Sequence, residues 1–200
     1  VARELLHRGR ARRLAVLCPA YLCNQWHKEL QEKLNIDSVV VRSGTVSRLE
    51  RDVRTPDRSL FEWYPNLVLS IDTVKLERYK SQFLAHCPDL VIVDEAHGAA
   101  RPRSQSRGGK RQLRHALVRE LADDPSRHLL LLTATPHSGI EESFLSLLGM
   151  LRKEFEELDL DRMTRQEEER LAKHFVHRRR RDLMHWMHEK TPFPERDEED

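Results

Sequence analysis

Cysteine and long apolar runs are both scarce in this sequence of 200 residues. The three cysteines, Cys18, Cys23 and Cys87, are odd in number and form no CxxC pair, which argues against a disulfide framework. We therefore expect reduced thiols in a cytoplasmic protein. No apolar run is long enough to cross a membrane, and the N-terminal segment VARELLHRGRARR lacks the apolar centre of a signal peptide.

Charged residues, by contrast, are abundant and unevenly distributed. They make up 34% of the sequence, although the formal net charge is only +2. Basic residues cluster at 8–13, 101–114 and 177–181, whereas the last six residues are mostly acidic. Basic clusters attract phosphate backbones, but a run of charges can equally be a solvated surface. The charge pattern is therefore compatible with nucleic-acid binding without requiring it.

Short apolar runs separated by helical patterns indicate the fold class. The runs occupy 14–18, 39–41, 67–71, 90–93 and 129–132. None alternates between apolar and polar residues, which is typical of strands buried on both faces of a parallel sheet. Apolar residues at helical spacing in 21–34 and 112–122 predict helices between the strands. We therefore predict an α/β fold, with loops at 43–66 and 101–111.

Only helical patterns follow the last apolar run. Apolar residues from Phe144 to Phe155 predict one amphipathic helix, and Thr164 followed by Glu167 predicts a capping box that opens another. The predicted organisation is an α/β lobe at 1–138, a helical extension at 139–190 and an acidic tail at 191–200 that we expect to be disordered.

The segment VIVDEAH runs from a predicted buried strand directly into two carboxylates. A strand that ends in Asp94 and Glu95 is costly unless a positive group, such as a metal ion, lies at its tip. Asp94 suits Mg²⁺, which keeps several waters and takes only one or two carboxylates. Glu95 could then orient or deprotonate a water that attacks a γ-phosphate, and His97 could pass the state of the site to its neighbours. The alternative is that the two acids only cap the next helix.

Other predicted strands also end in polar or small residues. The carboxyl ends of parallel strands lie along one edge of a sheet, where ligands bind. We therefore expect these strand-end residues to lie near Asp94 and Glu95. They are Pro19 after the first strand, Ser70 and Thr73 at the third, and Thr133, Ala134 and Thr135 after the fifth.

These segments resemble motifs of one known family. VIVDEAH and LLLLTATPHSG closely resemble motifs II and III of superfamily-2 helicases and translocases of the SNF2 and HepA-like branch. LAVLCPAYLCNQWHKEL resembles motif Ia and NLVLSIDTVK resembles motif Ib, so the motifs occur in the family's order and cover nearly the whole chain. LAKHFVHRRRRDL is similar to the arginine-rich stretch after motif III. WMHEKTPFPERD is similar to a segment of the SNF2-like helicase of the DISARM phage-defence system.

The resemblance implies a partial RecA-like lobe of an ATP-dependent motor that moves along double-stranded DNA. It implies that Asp94 coordinates Mg²⁺ through water and that Glu95 positions the hydrolytic water. The residues that it implies for coupling nucleotide state to DNA binding are His97, Thr133, Ala134 and Thr135. Those that it implies for nucleic-acid contact are Pro19, Ser70 and Thr73. Arg178 and Arg179 would face either the DNA backbone or a second RecA-like lobe.

One part that such an ATPase requires does not occur in the sequence. There is no GxxxxGK[ST] P-loop, and the segment Gly108-Gly109-Lys110 lacks both the spacing and a preceding strand. The chain resembles the family from the helix after the P-loop onward, so we expect the P-loop and the second lobe to lie outside it. We predict that this chain alone has no measurable ATPase activity. We also expect an unpaired sheet edge beside the strand at 90–93, where the P-loop strand would pair.

Several alternatives remain open at this point. The motor subunit of a restriction enzyme has similar motifs, and a non-enzymatic module could bind nucleic acid through basic loops with a vestigial DEAH box. Trp26 either packs in the core at its helical spacing or stacks on a base. The histidine pairs at 174 and 177 and at 185 and 188 are either surface residues or zinc ligands.

Overall fold

All the predicted apolar runs form strands, each within one residue of its predicted position. The computed structural model describes residues 1–55, 57–102, 109–135 and 140–177. The strands are β1 (Leu14–Cys18), β2 (Val39–Val41), β3 (Asn66–Ser70), β4 (Leu90–Val93) and β5 (His128–Leu131). The longer α-helices are α1 (Ala2–His7), α2 (Cys23–Leu34), α3 (Val46–Asp52), α6 (Glu77–Ala85), α7 (Gly109–Ala122), α8 (Glu141–Leu151) and α9 (Arg165–Ala172). Two single-turn helices are α4 (Leu60–Trp63) and α5 (Ile71–Val74), and 3₁₀ helices occupy Ala20–Leu22, Ala96–Ala99 and Lys153–Glu157.

The strands form one parallel sheet in the order β2-β3-β1-β4-β5. Successive side chains of a strand point to opposite faces, and here both faces are covered. On one face, Ala15 and Leu17 of β1 pack with the core that includes residues of α3, α6, α7 and α8. On the other face, Leu14 and Val16 pack with residues of α1 and α2. This two-sided burial explains the absence of polar alternation and confirms the predicted α/β class.

The prediction of an unpaired edge beside the strand at 90–93 is wrong. β4 pairs with β1 on one side and with β5 on the other. The strand that comes next in the chain therefore takes the position that we had expected to be open. Within the described residues, β5 pairs only with β4, and its leucines 129–131 are half-buried whereas β1 and β4 are fully buried.

The prediction of a loop at 43–66 is wrong, because this segment contains two helices, α3 and α4. Val46 and Leu49 lie one turn apart and are buried, as is Phe61, whose ring meets Phe83 edge-on at a centroid distance of 5.4 Å. Such short apolar pairs are difficult to recognise in the sequence because charged residues surround them. The predicted loop at 101–111 ends earlier than expected, because α7 begins at Gly109. Residues 103–108 lie outside the described part of the chain.

The chain divides into two compact units, Val1–Leu158 and a second that begins at Asp159. The first contains the sheet together with α8, whose Leu147 and Met150 belong to its core. The second contains α9, which opens with the predicted capping box: Glu167 N donates to Thr164 Oγ1 at 3.3 Å, and Thr164 N donates to Glu167 Oε2 at 2.7 Å. The boundaries of the extension and the acidic tail stay predictions, and residues 178–200 lie outside the described ones. Among the described helices, none has the length and apolar content that a membrane span requires.

Candidate active site at the carboxyl end of the sheet

The turn after β4 is fixed by backbone hydrogen bonds to both neighbouring strands. Asp94 N donates to Leu17 O of β1 at 2.8 Å, and Ala96 N donates to Leu132 O, just beyond β5, at 2.9 Å. Between them Glu95 has φ 51°, the left-handed region that costs a residue with a Cβ free energy. Strain of this kind is held only where the surroundings over-determine the backbone, as the two flanking bonds do here. The turn therefore presents both acids at the sheet edge.

Asp94 is half-buried and both of its carboxylate oxygens accept a hydrogen bond. Oδ2 accepts from Trp26 Nε1 at 2.7 Å, and Oδ1 accepts from Glu95 N at 2.9 Å. Within the described residues, the side chain of Glu95 makes no capping bond to the following 3₁₀ helix. The arrangement therefore favours a carboxylate pair at the sheet edge over the interpretation that both acids cap the next helix.

Glu95, His97, Thr133 and Thr135 form a contact group that we name the His97 cluster. His97 Nδ1 lies 3.2 Å from Glu95 Oε2, 3.2 Å from Thr133 Oγ1 and 3.5 Å from Thr135 Oγ1. Thr135 N also donates to Thr133 Oγ1 at 3.1 Å. The structure thus brings together Glu95 of the β4 turn and the hydroxyls beyond β5 through His97, as the strand-end rule predicts. Ala134, between the two threonines, is exposed.

A cleft of about 290 Å³ opens beside this cluster. Its lining includes the predicted residues Pro19, Asp94, Glu95 and His97. It also includes Tyr21 and Ile71, which follow the first and third strands but were not predicted as site residues, and Gly98 and Arg114, which the sequence did not indicate. Tyr21 is highly exposed at 77%, so an aromatic face is available at this edge of the sheet.

The structure does not place every predicted nucleic-acid contact at the surface. Ser70 and Thr73 are only 1% and 6% exposed, so their hydroxyls are closed to a phosphate backbone in this conformation. Both lie where β3 passes into α5. Pro19 is half-buried and lines the cleft. Arg178 and Arg179 lie outside the described residues.

An ion-pair group lies beside the cleft and was not predicted. Arg114 of α7 holds Asp72 of α5 through two nitrogens, with Nε 3.0 Å from Oδ1 and Nη2 2.7 Å from Oδ2. The buried Lys75 donates to Asp72 Oδ1 at 2.6 Å. Burial raises the pKa of Asp72, but the hydrogen bonds and charges of Lys75 and Arg114 outweigh it and hold the pKa below its ordinary value. We name residues 94–97, Asp-Glu-Ala-His, the DEAH turn. A Cβ at Gly98 would lie 3.2 Å from Arg114 Nη1, so this glycine lets the guanidinium lie against the DEAH turn.

The residues present fit a cation of the magnesium type and no all-protein metal cage. Among the described residues there is no group of three or more histidine, cysteine or acidic side chains that could hold a metal. His174 and His177 belong to no such group among the described residues, and residues 185 and 188 lie outside them. A single anionic carboxylate with free lone pairs, as at Asp94, is what Mg²⁺ takes when phosphate oxygens and waters complete its shell.

The cysteines are free thiols, as predicted. Cys18 and Cys23 are fully buried with their sulfur atoms 3.6 Å apart. The hydrogen bond that the Cys18 thiol donates to Cys23, burial, and the charges of Cys23 and Asp94 all raise the pKa of Cys18. Cys18 therefore remains a protonated, apolar residue beneath the site.

Comparison with known proteins identifies the family of the chain. Residues 4–160 match the family model of the SNF2-related domain. The chain is 32% identical over 152 residues to an uncharacterized ATP-dependent helicase, YqhH, of Bacillus subtilis (strain 168), covering 76% of this chain and 23% of the relative. It is 31% identical over 162 residues to the RNA polymerase-associated protein RapA of Stutzerimonas stutzeri (strain A1501), covering 80% of this chain and 16% of the relative.

A solved structure shows the same fold. The SWI2/SNF2 ATPase core of Sulfolobus solfataricus, determined in complex with double-stranded DNA, superposes with a TM-score of 0.51 at 14% identity. The match covers 74% of this chain and 27% of that one. The chain thus spans less than a quarter of the length of the two curated relatives above. With more than half of its residues matched by the family model, the chain belongs to the SNF2-related domain family.

Proposed function

We propose that this chain is part of a double-stranded-DNA-dependent ATPase motor and carries its cation-holding and water-positioning carboxylates. The observation that supports it most directly is the His97 cluster, in which one imidazole nitrogen contacts Glu95 and both threonines beyond β5. Two further findings support the proposal. One relative is described as an ATP-dependent helicase, and the structural neighbour was solved with double-stranded DNA.

Asp94 and Glu95 have separate roles in this proposal. Magnesium-bound ATP, when present, supplies the phosphoryl group and neutralises part of its charge. Asp94 holds the cation through water, and the two donors on its carboxylate keep that group in one orientation. Glu95 orients the attacking water and accepts its proton, and the left-handed backbone at this residue fixes the direction in which its side chain leaves the turn.

His97 couples the two sides of the site because its Nδ1 has three oxygen neighbours and at most one proton to donate. A protonated Nδ1 can donate to the Glu95 carboxylate or to a threonine hydroxyl, and an unprotonated Nδ1 can only accept from a hydroxyl. When Glu95 binds a water, its contact with His97 weakens. The contact between His97 and Thr133 then becomes stronger. Thr133 also accepts from Thr135 N, so a change in its hydroxyl acts on the backbone beyond β5.

DNA contact is proposed at the cleft. Its rim offers the exposed ring of Tyr21, the half-buried Pro19 and the guanidinium of Arg114. Ser70 and Thr73 are buried, so they shape this rim instead of touching a phosphate. Contact through Arg178 and Arg179 with DNA or with a second RecA-like lobe stays part of the proposal.

The proposal names one family within the superfamily but does not assign the chain to a particular biological system. The family match supports an SNF2-type motor over the motor subunit of a restriction enzyme. The relatives named above are described as a helicase and as RNA polymerase-associated proteins, so they do not support the DISARM assignment. A vestigial site is the remaining alternative, and only an activity measurement separates it from a working one.

The test is ATP hydrolysis by a longer protein that joins this domain to a P-loop and a second RecA-like lobe, with and without double-stranded DNA. We expect DNA-stimulated hydrolysis that falls by about 100-fold or more in Glu95→Gln, the range for losing a general base. The matched control is Glu32→Gln, an exposed residue of α2 whose contact with Lys28 is long at 3.8 Å. Equal activity of the two variants would contradict the proposal. DNA-stimulated turnover by the 200-residue chain alone would instead contradict the prediction that this chain has no measurable ATPase activity.

A further inference from the structure

Trp26 contacts the carboxylate on which the proposed cation site depends. Its indole Nε1 donates to Asp94 Oδ2 at 2.7 Å, although 68 residues separate the two in the chain. We infer that Trp26 is a positioning residue that holds Asp94 in the orientation that binds a divalent cation. The inference rests on the proposed cation-holding role of Asp94. It gives Trp26 a role in the site, whereas its apolar spacing in the sequence predicts only core packing.

The hydrogen-bond pattern of Asp94 leaves room for a cation. Trp26 occupies one lone pair of Oδ2, and the amide of Glu95 occupies one lone pair of Oδ1. Each carboxylate oxygen has about two acceptor sites, so one on each oxygen stays available for a cation-bound water. Two donors from two different segments also prevent the carboxylate from rotating about its terminal bond. The remaining lone pairs therefore keep a fixed direction.

The chemical nature of the donor matters as much as its position. An indole N–H is a neutral donor with no acceptor capacity, so it cannot neutralise the carboxylate or compete for the cation. An arginine or lysine at this place would neutralise the carboxylate, as Arg114 and Lys75 do to Asp72. Trp26 thus orients Asp94 while the carboxylate keeps its negative charge.

Packing holds the indole in place. Trp26 lies in the first turn of the 12-residue helix α2 and packs against the buried core that contains Cys23 and Leu30. A second cleft, of about 210 Å³, is lined by Trp26 and Asp94 together with Leu22, Gln25 and Glu29. Asp94 thus lines this cleft and the one that contains Glu95, so the carboxylate stays accessible although Trp26 contacts it.

A purely structural role would satisfy the same hydrogen bond, so the test must report on cation binding. The first measurement is the ¹⁵N–¹H spectrum of the 200-residue chain, in which Trp26, Trp63 and Trp186 give the indole signals. The Trp26 signal is assigned by its loss in Trp26→Phe. In Asp94→Ala we expect it to move upfield and to exchange faster with water, while the Trp63 signal stays in place. An unchanged Trp26 signal would overturn the inference.

The second measurement uses Mn²⁺ together with ATP as the probe, because phosphate oxygens complete the shell of a cation that is held by one carboxylate. Binding is followed by water-proton relaxation and by paramagnetic broadening of the indole signals. Mn²⁺ should broaden the Trp26 signal before that of Trp63, and Trp26→Phe should weaken Mn²⁺ binding by about 10-fold or more, as for other groups that orient a metal ligand. Trp63→Phe, which removes an indole from α4, is the matched control and should leave the affinity unchanged.

The outcomes separate this inference from the proposed function. If Asp94→Ala abolishes Mn²⁺ binding but Trp26→Phe leaves it intact, the positioning role fails and the cation site stands. If Asp94→Ala leaves Mn²⁺ binding unchanged, both fail. Should Trp26→Phe not fold, benzothienylalanine in a chain with Trp63→Phe and Trp186→Phe replaces only the N–H by sulfur. That substitution must reproduce the loss of affinity for the inference to hold.

Discussion

Removing the charge of Asp72 should cost more stability than removing that of Arg114. In Arg114→Gln, Asp72 keeps its ion pair with Lys75, so the loss is that of a partly exposed bidentate pair, about 1 kcal/mol. In Asp72→Asn both pairs are lost, and Lys75, whose side chain is only 4% exposed, keeps a buried ammonium without an anion. Breaking a buried pair from one side costs about 3 kcal/mol or more, and the partial exposure of Asp72 reduces this to about 2–3 kcal/mol.

Thermal unfolding followed by circular dichroism measures this difference. For a chain of this length, 1 kcal/mol shifts the Tm by about 2–4 °C, so Asp72→Asn should melt well below Arg114→Gln. Adding Lys75→Met to Asp72→Asn should recover part of the loss, because it removes the buried charge. Asp123→Asn, at an exposed pair with Arg119, is the control and should be nearly neutral. Equal melting of Asp72→Asn and Arg114→Gln, or no recovery with methionine, would refute the reasoning.

The same pair has a defined dependence on pH. The pKa of Asp72 is lower in the folded chain than its ordinary value, so the unfolded chain binds the proton more tightly. Its stabilising contribution is therefore complete above the unfolded pKa of about 4 and is lost as the pH falls through the folded pKa. The stability difference between the unmodified chain and Asp72→Asn should be constant near neutral pH and shrink below about pH 4. A difference that grows on acidification would contradict this.

Three further predictions concern the two units separately. Gly149→Ala should lower the Tm although alanine favours helices, because its Cβ would lie 2.8 Å from Glu156 Cβ; a raised Tm would contradict this. Burial raises the pKa of Cys87 to about 12, so its alkylation at neutral pH, followed by mass spectrometry, should be at least about 100-fold slower than in urea. Thr164→Ala removes the capping box of α9 and should speed hydrogen exchange of the amide of Glu167; unchanged exchange would exclude a capping role.

The sequence was sufficient to predict the strands because their burial on both faces leaves a one-dimensional signal. Each strand contains a continuous apolar run of at least three residues. The position of Glu95 near Thr133, with His97 between them, follows from the same signal, since the carboxyl ends of parallel strands meet at one edge. The short helices α3 and α4 gave no such signal, because only one or two of their residues reach the core.

Long-range side-chain contacts could not be predicted in this way. Trp26 and Asp94 are 68 residues apart, and Asp72 and Arg114 are 42 apart. Periodicity assigns Trp26 to the apolar face of α2 but does not show that its N–H reaches the end of β4. Arg114 is one of several arginines in the basic cluster at 101–114, and its spacing does not distinguish it from the others. Which of several arginines finds a carboxylate depends on how α7 crosses the sheet.

The His97 cluster depends on a strand with little lateral support, and its geometry shows how it can still be held. Within the described residues β5 pairs only with β4, and Leu132 at its end is 41% exposed. Leu132 N nevertheless donates to Val93 O at 2.8 Å, and Leu132 O accepts from Ala96 N at 2.9 Å. These bonds attach the residue before Thr133 to both sides of the DEAH turn. The contact between His97 and Thr133 is therefore set by β4 itself, so it should form in this chain whether or not a further strand pairs with β5.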